Sequence, residues 1–333
     1  MQLRVLRDLD VLGKLVILRA DIDADPNNTA SIRLLTIRPS VDYLFDKGAK
    51  RIIIIGHRGR PNGFDPKFST QLLIDTLSKI LSRKISFALD FNNIPKEELV
   101  LFENLRFWKG ERDKDQSFAQ KIAKIGEIYV SDAFGTFHRN DASIVILPLM
   151  FPSACGIQAE LEFNVLSKVI ENPEHPFVAI TGGAKIEDKV NTIQNLSHIA
   201  DNVLVGGLLP LEIIKRNLKF SSNVLIGDLM ENAKDISKNS IDSFVNVIRS
   251  AKTIVWNGTV GYVEEGFTHG TDSIIEAIIQ SKSYSVVGGG DTTQYLFNKN
   301  LQTHFSHVST GGGAMLAFLS GNMLPGFEVL KKV

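Results

Sequence analysis

The stretch Phe177-Val178-Ala179-Ile180-Thr181-Gly182-Gly183-Ala184-Lys185-Ile186-Glu187-Asp188-Lys189 passes from an unbroken apolar run through a glycine turn into a helical pattern. An apolar run without alternation is what a parallel strand covered on both faces requires. Glycines at its end allow a tight turn, and they let the next helix bring backbone N–H groups close to an anion. Seven further runs have the same character: LVILRA (15–20), RIIIIG (51–56), LVLFEN (99–104), EIYVSD (127–132), NVLVGG (202–207), TIVWNG (253–258) and YSVVGG (284–289). Amphipathic helical patterns cover 39–46, 69–81, 116–125, 160–170, 187–200 and 271–281. Strands alternating with helices predict an α/β protein of two doubly wound, Rossmann-like parallel sheets. The polar, proline-bearing connector ENPEHP (171–176) divides the chain. We expect a first lobe at 1–157, a helix and connector at 158–175, and a second lobe at 176–314.

Composition narrows the function. Lys plus Arg and Asp plus Glu both number 37, so no overall field favours nucleic acid or a membrane surface, and anion binding must come from local charge. The single cysteine, Cys155, excludes an internal disulfide and a multi-cysteine metal site, and is expected to be a small buried apolar group. The first fourteen residues, MQLRVLRDLDVLGK, lack a signal-peptide core, and the most apolar stretch (144–157) is too short to span a bilayer. A soluble cytoplasmic protein is the expectation.

The turn at Gly182 and Gly183 has two counterparts, Val287-Gly288-Gly289-Gly290-Asp291-Thr292 and Ser309-Thr310-Gly311-Gly312-Gly313. Singly, each is as compatible with a tight turn as with a phosphate site. Together in one lobe, beside Lys185, Lys189 and Asp291, they point to nucleotide phosphates. The pattern is neither a GxxxxGK[ST] loop nor an early G-x-G-x-x-G, which excludes the ordinary P-loop and dinucleotide signatures. Lys185 and Lys189 stand four apart at an expected helix start, where the macrodipole disfavours cations and a bound polyphosphate would relieve the conflict. Asp291 is expected to cap a helix, and near phosphates its carboxylate suits Mg²⁺.

The first half carries basic residues at strand ends: His57 and Arg60 in GHRGRP, Arg106 in ENLRFW, His138 and Arg139 in AFGTFHR. A lone histidine there is as often a packed side chain as a ligand, and a lone arginine is usually solvated. Several together suggest a small anion, because guanidinium forks grip carboxylate and phosphate oxygens. Asp21 and Asp23 follow the first strand, where they could cap a loop or bind a substrate hydroxyl. Two anion-binding halves suggest transfer between two bound molecules.

These segments, with RADID (19–23), LPGFEVL (324–330) and FSHVSTGGGA (305–314), resemble phosphoglycerate kinase in order along nearly the whole chain. The resemblance implies two α/β lobes joined by a helix, with 315–333 returning to the first lobe. It implies reversible phosphoryl transfer between 1,3-bisphosphoglycerate and Mg-ADP, giving 3-phosphoglycerate and Mg-ATP, with closure of the lobes. By motif position, Asp21, Asp23, Arg33, His57, Arg60, Arg106 and Arg139 would bind the phosphoglycerate. Gly182, Gly183, Lys185, Lys189, Asn257, Gly258, Glu264, Gly288, Gly289, Gly290, Asp291 and Thr292 would bind the nucleotide, with Asp291 holding Mg²⁺. Arg33, Lys185, Lys189, Gly312 and Gly313 would act on the transferring phosphate, and Ser309 and Thr310 suit a hinge. Such a reaction rests on positioning and charge neutralisation and needs no protein nucleophile.

The chain departs from the pattern in places. It is shorter than usual members, and no strand is legible between Gly207 and Ala251, where the family has LPVD. Nucleoside-side motifs read GGLLP (206–210) and WNGTVGYVE (256–264). Asp23 stands in place of an asparagine and Asp141 in place of a histidine. Each adds a negative charge where an anion should bind. A non-catalytic relative, or a kinase for another acyl phosphate, would be the alternative; retention of Arg33, Lys189 and Asp291 disfavours the former, and the four anchors His57, Arg60, Arg106 and Arg139 the latter.

Overall fold

Each of the eight apolar runs is a strand in the computed structural model, which describes residues 1–187 and 189–332. The chain divides into two units, Met1–Phe163 with Met323–Val333, and Asn164–Asn322.

In the first unit, β1 (Leu15–Arg19), β2 (Arg51–Ile55), β3 (Ser86–Ala88), β4 (Leu99–Phe102), β5 (Ile128–Ser131) and β6 (Ser153–Cys155) form one parallel sheet in the order β3-β4-β2-β1-β5-β6. Burial on both faces explains the continuous apolar runs: Val16, Leu18, Ile52 and Ile54 enter one core, Ile17, Ile53, Ile55 and Val100 the other. Sequence order reverses at the β1–β5 pair, so their carboxyl ends frame the crevice where open α/β sheets bind ligands.

In the second unit, β7 (Phe177–Thr181), β8 (Asn202–Val205), β9 (Val224–Ile226), β10 (Thr253–Asn257), β11 (Tyr284–Gly288) and β12 (His307–Val308) form a parallel sheet in the order β12-β11-β10-β7-β8-β9. Its reversal lies between β7 and β10, with Asn257 level with Thr181. The strand β9 corrects the reading that 207–251 holds none. It is an edge strand whose three residues pass from buried to exposed, so no apolar run announces it. The helix Lys238–Arg249, capped by Ser237 and buried through Ile241, Phe244 and Ile248, was also not anticipated.

The boundaries shift from those expected. The helix Ile157–Glu171 contains the division, which falls between Phe163 and Asn164. Residues 315–322 stay with the second unit, because the apolar helix Gly312–Leu319 packs there, with Asn195 Nδ2 donating to the Leu319 carbonyl (2.7 Å) and Thr192 Oγ1 2.7 Å from Ser320 Oγ. The return to the first unit begins at Met323. There Phe327 packs edge-on to Phe137 (4.9 Å) and Phe163 (5.0 Å), and Lys332 N–H donates to the Gln2 carbonyl.

One buried acid fixes the start of the helix Ile157–Glu171. Asp132 Oδ1 accepts the Ala159 N–H (2.8 Å), while Oδ2 accepts Ser40 Oγ–H (2.6 Å), and Ser40 Oγ accepts the Ile157 N–H (2.9 Å). Burial outweighs these bonds and pushes the Asp132 carboxyl up to about 6. The folded protein therefore binds more protons than the unfolded chain between about pH 4 and 6, and this group's contribution to stability is present at low pH and lost as pH rises. Urea midpoints at pH 4.5 and 7.5 should show Asp132→Asn gaining about 2 kcal/mol on the parent across that interval. A pH-independent difference would contradict the assignment.

Candidate active site

The loops leaving β1, β2, β4 and β5 carry the expected basic residues to one place. Asp23 stands at its centre: Oδ1 accepts the Gly59 N–H (2.7 Å), and Oδ2 lies 3.7 Å from both Arg33 Nη1 and His57 Nε2. Arg33, on the short helix Ile32–Leu35, also lies 3.7 Å from Asp21 and donates to the Asp23 carbonyl (3.0 Å). Arg106 donates to the Gly59 carbonyl (2.7 Å), and Arg139 Nη1 is 3.4 Å from His57 Nε2. Arg60 is exposed and makes no hydrogen bond or ion pair to the described residues. His138 is partly buried, with Nδ1 unpartnered.

Both added acids are offset by neighbours. Asp23 sits among Arg33, His57 and an N–H group, and Asp141 lies 3.8 Å from Arg106 with both side chains nearly buried. That pair is poorly satisfied, since Arg106 Nε and Asp141 Oδ2 have no hydrogen-bond partner. Asp141 thus spends part of Arg106's charge without holding it in a good fork. If a small anion binds here, Asp141→Asn should lower the KM for it about three- to tenfold, an effect that shrinks with added salt. An unchanged or raised KM in steady-state assays would show that Asp141 does not oppose the anion.

Several residues that organise this site were not singled out from sequence. Asn104 accepts from the N–H groups of Arg58 and Arg106 and donates to the carbonyls of Arg58 and Phe68. Glu103 accepts from Ser69, Thr70 and Asn104. Arg58 fastens the loop through the carbonyls of Ala24 and Lys67. Arg19 is wholly buried at the end of β1. A signal existed for Arg19 alone, as a charge closing an otherwise apolar strand.

In the second unit, the loops after β7, β8 and β10 interlock. Gly182 N–H donates to Asn257 O (3.0 Å), Gly183 N–H to Thr259 O (2.8 Å) and Gly207 N–H to Val260 O (3.0 Å). Protein carbonyls therefore occupy the Gly182 and Gly183 donors, which leaves these glycines to shape the turn. They permit close approach, since a Cβ on Gly182 would lie 2.1 Å from the Thr259 carbonyl oxygen. Beside them is a cavity of about 200 Å³ lined by Gly183, Gly207, Leu208, Tyr262, Glu264 and Asp291. Lys234 also lines it, paired with Glu265, and no sequence signal marked it.

Lys189 is 7% exposed, and its Nζ donates to Asn257 Oδ1 (3.0 Å) and O (3.2 Å). Lys185 is exposed and makes no hydrogen bond or ion pair to the described residues. The two lysines do not share a helix face, because the helix begins at Val190 and Lys185 lies outside it. Asp291 is not the cap. Gly289, at φ +101°, precedes the helix Gly290–Asn298, and Asp291 sits exposed in its first turn. Thr292 Oγ1 accepts the Gly258 N–H (3.0 Å). A Cβ on Gly312 would lie 2.7 Å from Gly289 Cα, so the starts of Gly312–Leu319 and Gly290–Asn298 are adjacent; neither has a side-chain cap. Two uncapped helix N-termini side by side form an anion seat. Gly288 instead packs against Met315. Ser309 accepts the Gly311 N–H within the second unit, away from the points where the chain changes unit.

A family model described as phosphoglycerate kinase matches residues 6–219 and 211–322. Among curated relatives, the phosphoglycerate kinases of Dictyoglomus turgidum and Aquifex aeolicus are 34% and 33% identical; the alignments cover 98% of this chain and 98% of the first, and 97% of this chain and 96% of the second. The first alignment runs over 387 positions against 333 residues here, so the shortening consists of internal deletions. Among solved structures, the phosphoglycerate kinase of Coxiella burnetii superposes with a TM-score of 0.84 at 29% identity, covering 99% of both chains. That of Pyrococcus horikoshii gives 0.85 at 26%, covering 98% of both. With two parallel sheets, an arginine-rich crevice in one unit and uncapped helix starts in the other, the chain belongs to the phosphoglycerate kinase family.

Proposed function

We propose that the first unit binds the phosphoglycerate and the second the nucleotide, in the reversible transfer of the acyl phosphate of 1,3-bisphosphoglycerate to ADP. The observation that carries this reading is one basic cluster, in which Arg33 and His57 meet Asp23, Arg106 meets Gly59 and Arg139 meets His57. An incoming trianion competes with Asp21 and Asp23 for Arg33, whose contacts to them at 3.7 Å are loose enough to yield. Arg60, exposed beside the site, supplies a further guanidinium. An acyl phosphate is already reactive, so the side chains orient it and neutralise charge on its oxygens.

On the nucleotide side, Lys189 and the N–H groups opening the helices at Gly290 and Gly312 take the phosphates, with Gly313 next in line. Lys185 reaches them from the exposed turn, and Glu264 borders the nucleoside end. Asp291 fits magnesium: its carboxylate is exposed and makes no hydrogen bond or ion pair to the described residues, and Mg²⁺ takes one or two carboxylates plus phosphate oxygens. Bound there, the ion would neutralise the nucleotide's terminal phosphates.

A monomer in the cytoplasm, without nucleic-acid or membrane partners, belongs to the same reading. A formal net charge of +0 gives no field for polyanions, and no helix among the described residues is long and apolar enough to cross a membrane. The test is a coupled assay of purified protein with Mg-ATP and 3-phosphoglycerate. Turnover should be present and magnesium-dependent; binding of both ligands without turnover would make the chain a non-catalytic relative.

A further inference from the structure

Arg19 makes three hydrogen bonds and has no exposed surface. Nε donates to Ser143 Oγ (3.0 Å), Nη1 to the Ala20 carbonyl (2.7 Å), and Nη2 faces His57 Nδ1 at 3.0 Å. Ser143 is committed in turn, because Glu111, buried in the short helix Lys109–Arg112, accepts its hydroxyl (2.5 Å) and its N–H (3.0 Å). The direction of every proton follows. Glu111 takes the serine hydrogen, so Ser143 accepts from Arg19, and a guanidinium can only donate to the histidine. Nδ1 of His57 must then be bare, leaving the ring hydrogen on Nε2. We propose that Arg19 is a positioning residue that locks His57 as its neutral Nε2–H tautomer, so that the ring meets the phosphoglycerate as a fixed hydrogen-bond donor and not as a cation.

The surroundings agree. His57 faces Arg19 from β1, Arg33 and Arg112 from two short helices, and Arg139 from the loop after β5, against one carboxylate, Asp23 at 3.7 Å from Nε2. Burial and then these guanidinium groups hold its imidazole well below the usual histidine range. Arg139 at 3.4 Å cannot be the partner that sets the tautomer. A neutral ring has one acceptor nitrogen, and the closer, wholly buried Arg19 has no other direction to turn. A ring pinned in this way exposes its one hydrogen toward Asp23 and the substrate crevice.

The inference rests on the substrate reading above, and the experiment separates the two. Full-length protein with ¹⁵N-labelled histidine should show an unprotonated Nδ1 and a protonated Nε2 for His57, unchanged from pH 5.5 to 8. Addition of 3-phosphoglycerate should shift the Nε2 proton. An Nδ1–H tautomer, or titration within that range, overturns the lock. A correct tautomer whose proton ignores 3-phosphoglycerate leaves the lock standing and removes His57 from the substrate site. In Arg19→Met, the KM for 3-phosphoglycerate relative to the parent should rise about fivefold at pH 8 and fall toward unity near pH 6 as the released ring gains a proton, with kcat nearly unchanged. The ratio cancels the ligand's own ionisation, and a pH-independent ratio would reduce Arg19 to packing. Should that variant fail to fold, the spectrum of the parent decides.

Discussion

Lys189→Ala is expected to lower kcat by about two orders of magnitude or more while leaving 3-phosphoglycerate affinity within about twofold. Lys189 is nearly buried, immediately before the helix Val190–Ile199, and its ammonium is directed at the Asn257 carbonyl and side-chain oxygen. A helix N-terminus repels a cation, and burial strips it of water. Arriving phosphate charge favours this placement, most of all when that charge spreads over the oxygens in flight. Lys185 is the internal comparison. Exposed and without a fixed partner, it should act mainly through nucleotide KM, so Lys185→Ala is expected to cost less than about tenfold. Steady-state kinetics on both variants, with calorimetric 3-phosphoglycerate binding, decide the matter. A Lys189→Ala enzyme that changes only in nucleotide KM would show that the lysine grips ground state and transition state alike.

Every interior strand was legible, because a strand covered on both faces must be apolar throughout. The four strands that escaped, β3, β6, β9 and β12, are the four edges of the two sheets and have only two or three residues each. An edge has one neighbour, so little selects its residues beyond pairing. Site residues divide on similar lines. Glycines and strand-end arginines show themselves by type and setting, whereas Glu103, Asn104 and Ser143 act through hydrogen bonds to residues between one and 124 positions away. Sequence spacing cannot reveal such pairs. Nor does composition separate a tight turn from a phosphate loop after β7; only the partners of the Gly182 and Gly183 N–H groups do.

Gly258→Ala is the second large effect, expected to destabilise the second unit by about 3–5 kcal/mol and to weaken ADP binding at least about tenfold. Two costs combine at this position. Its φ of +96° is one that a residue with a Cβ adopts only under strain, and that Cβ would stand 2.3 Å from the Gly182 oxygen and 2.6 Å from its carbonyl carbon. Both atoms are backbone at the end of β7, whose Thr181 is in register with Asn257. The clash cannot be relieved by a rotamer change; the loops must separate, which breaks the Gly182–Asn257 and Gly258–Thr292 hydrogen bonds together. Thr292 is in the first turn of the helix that we assign to the phosphates, so loosening Gly258 reaches the nucleotide. Gly13→Ala isolates the conformational part. Its φ is +70°, and nothing lies within 4 Å of the added carbon, so it should cost only about 1 kcal/mol. Thermal unfolding followed with and without ADP should show a fall of about 10 °C for Gly258→Ala and a few degrees for Gly13→Ala. Equal shifts would mean that the left-handed backbone alone matters and that β7 and β10 do not need to approach so closely at their ends.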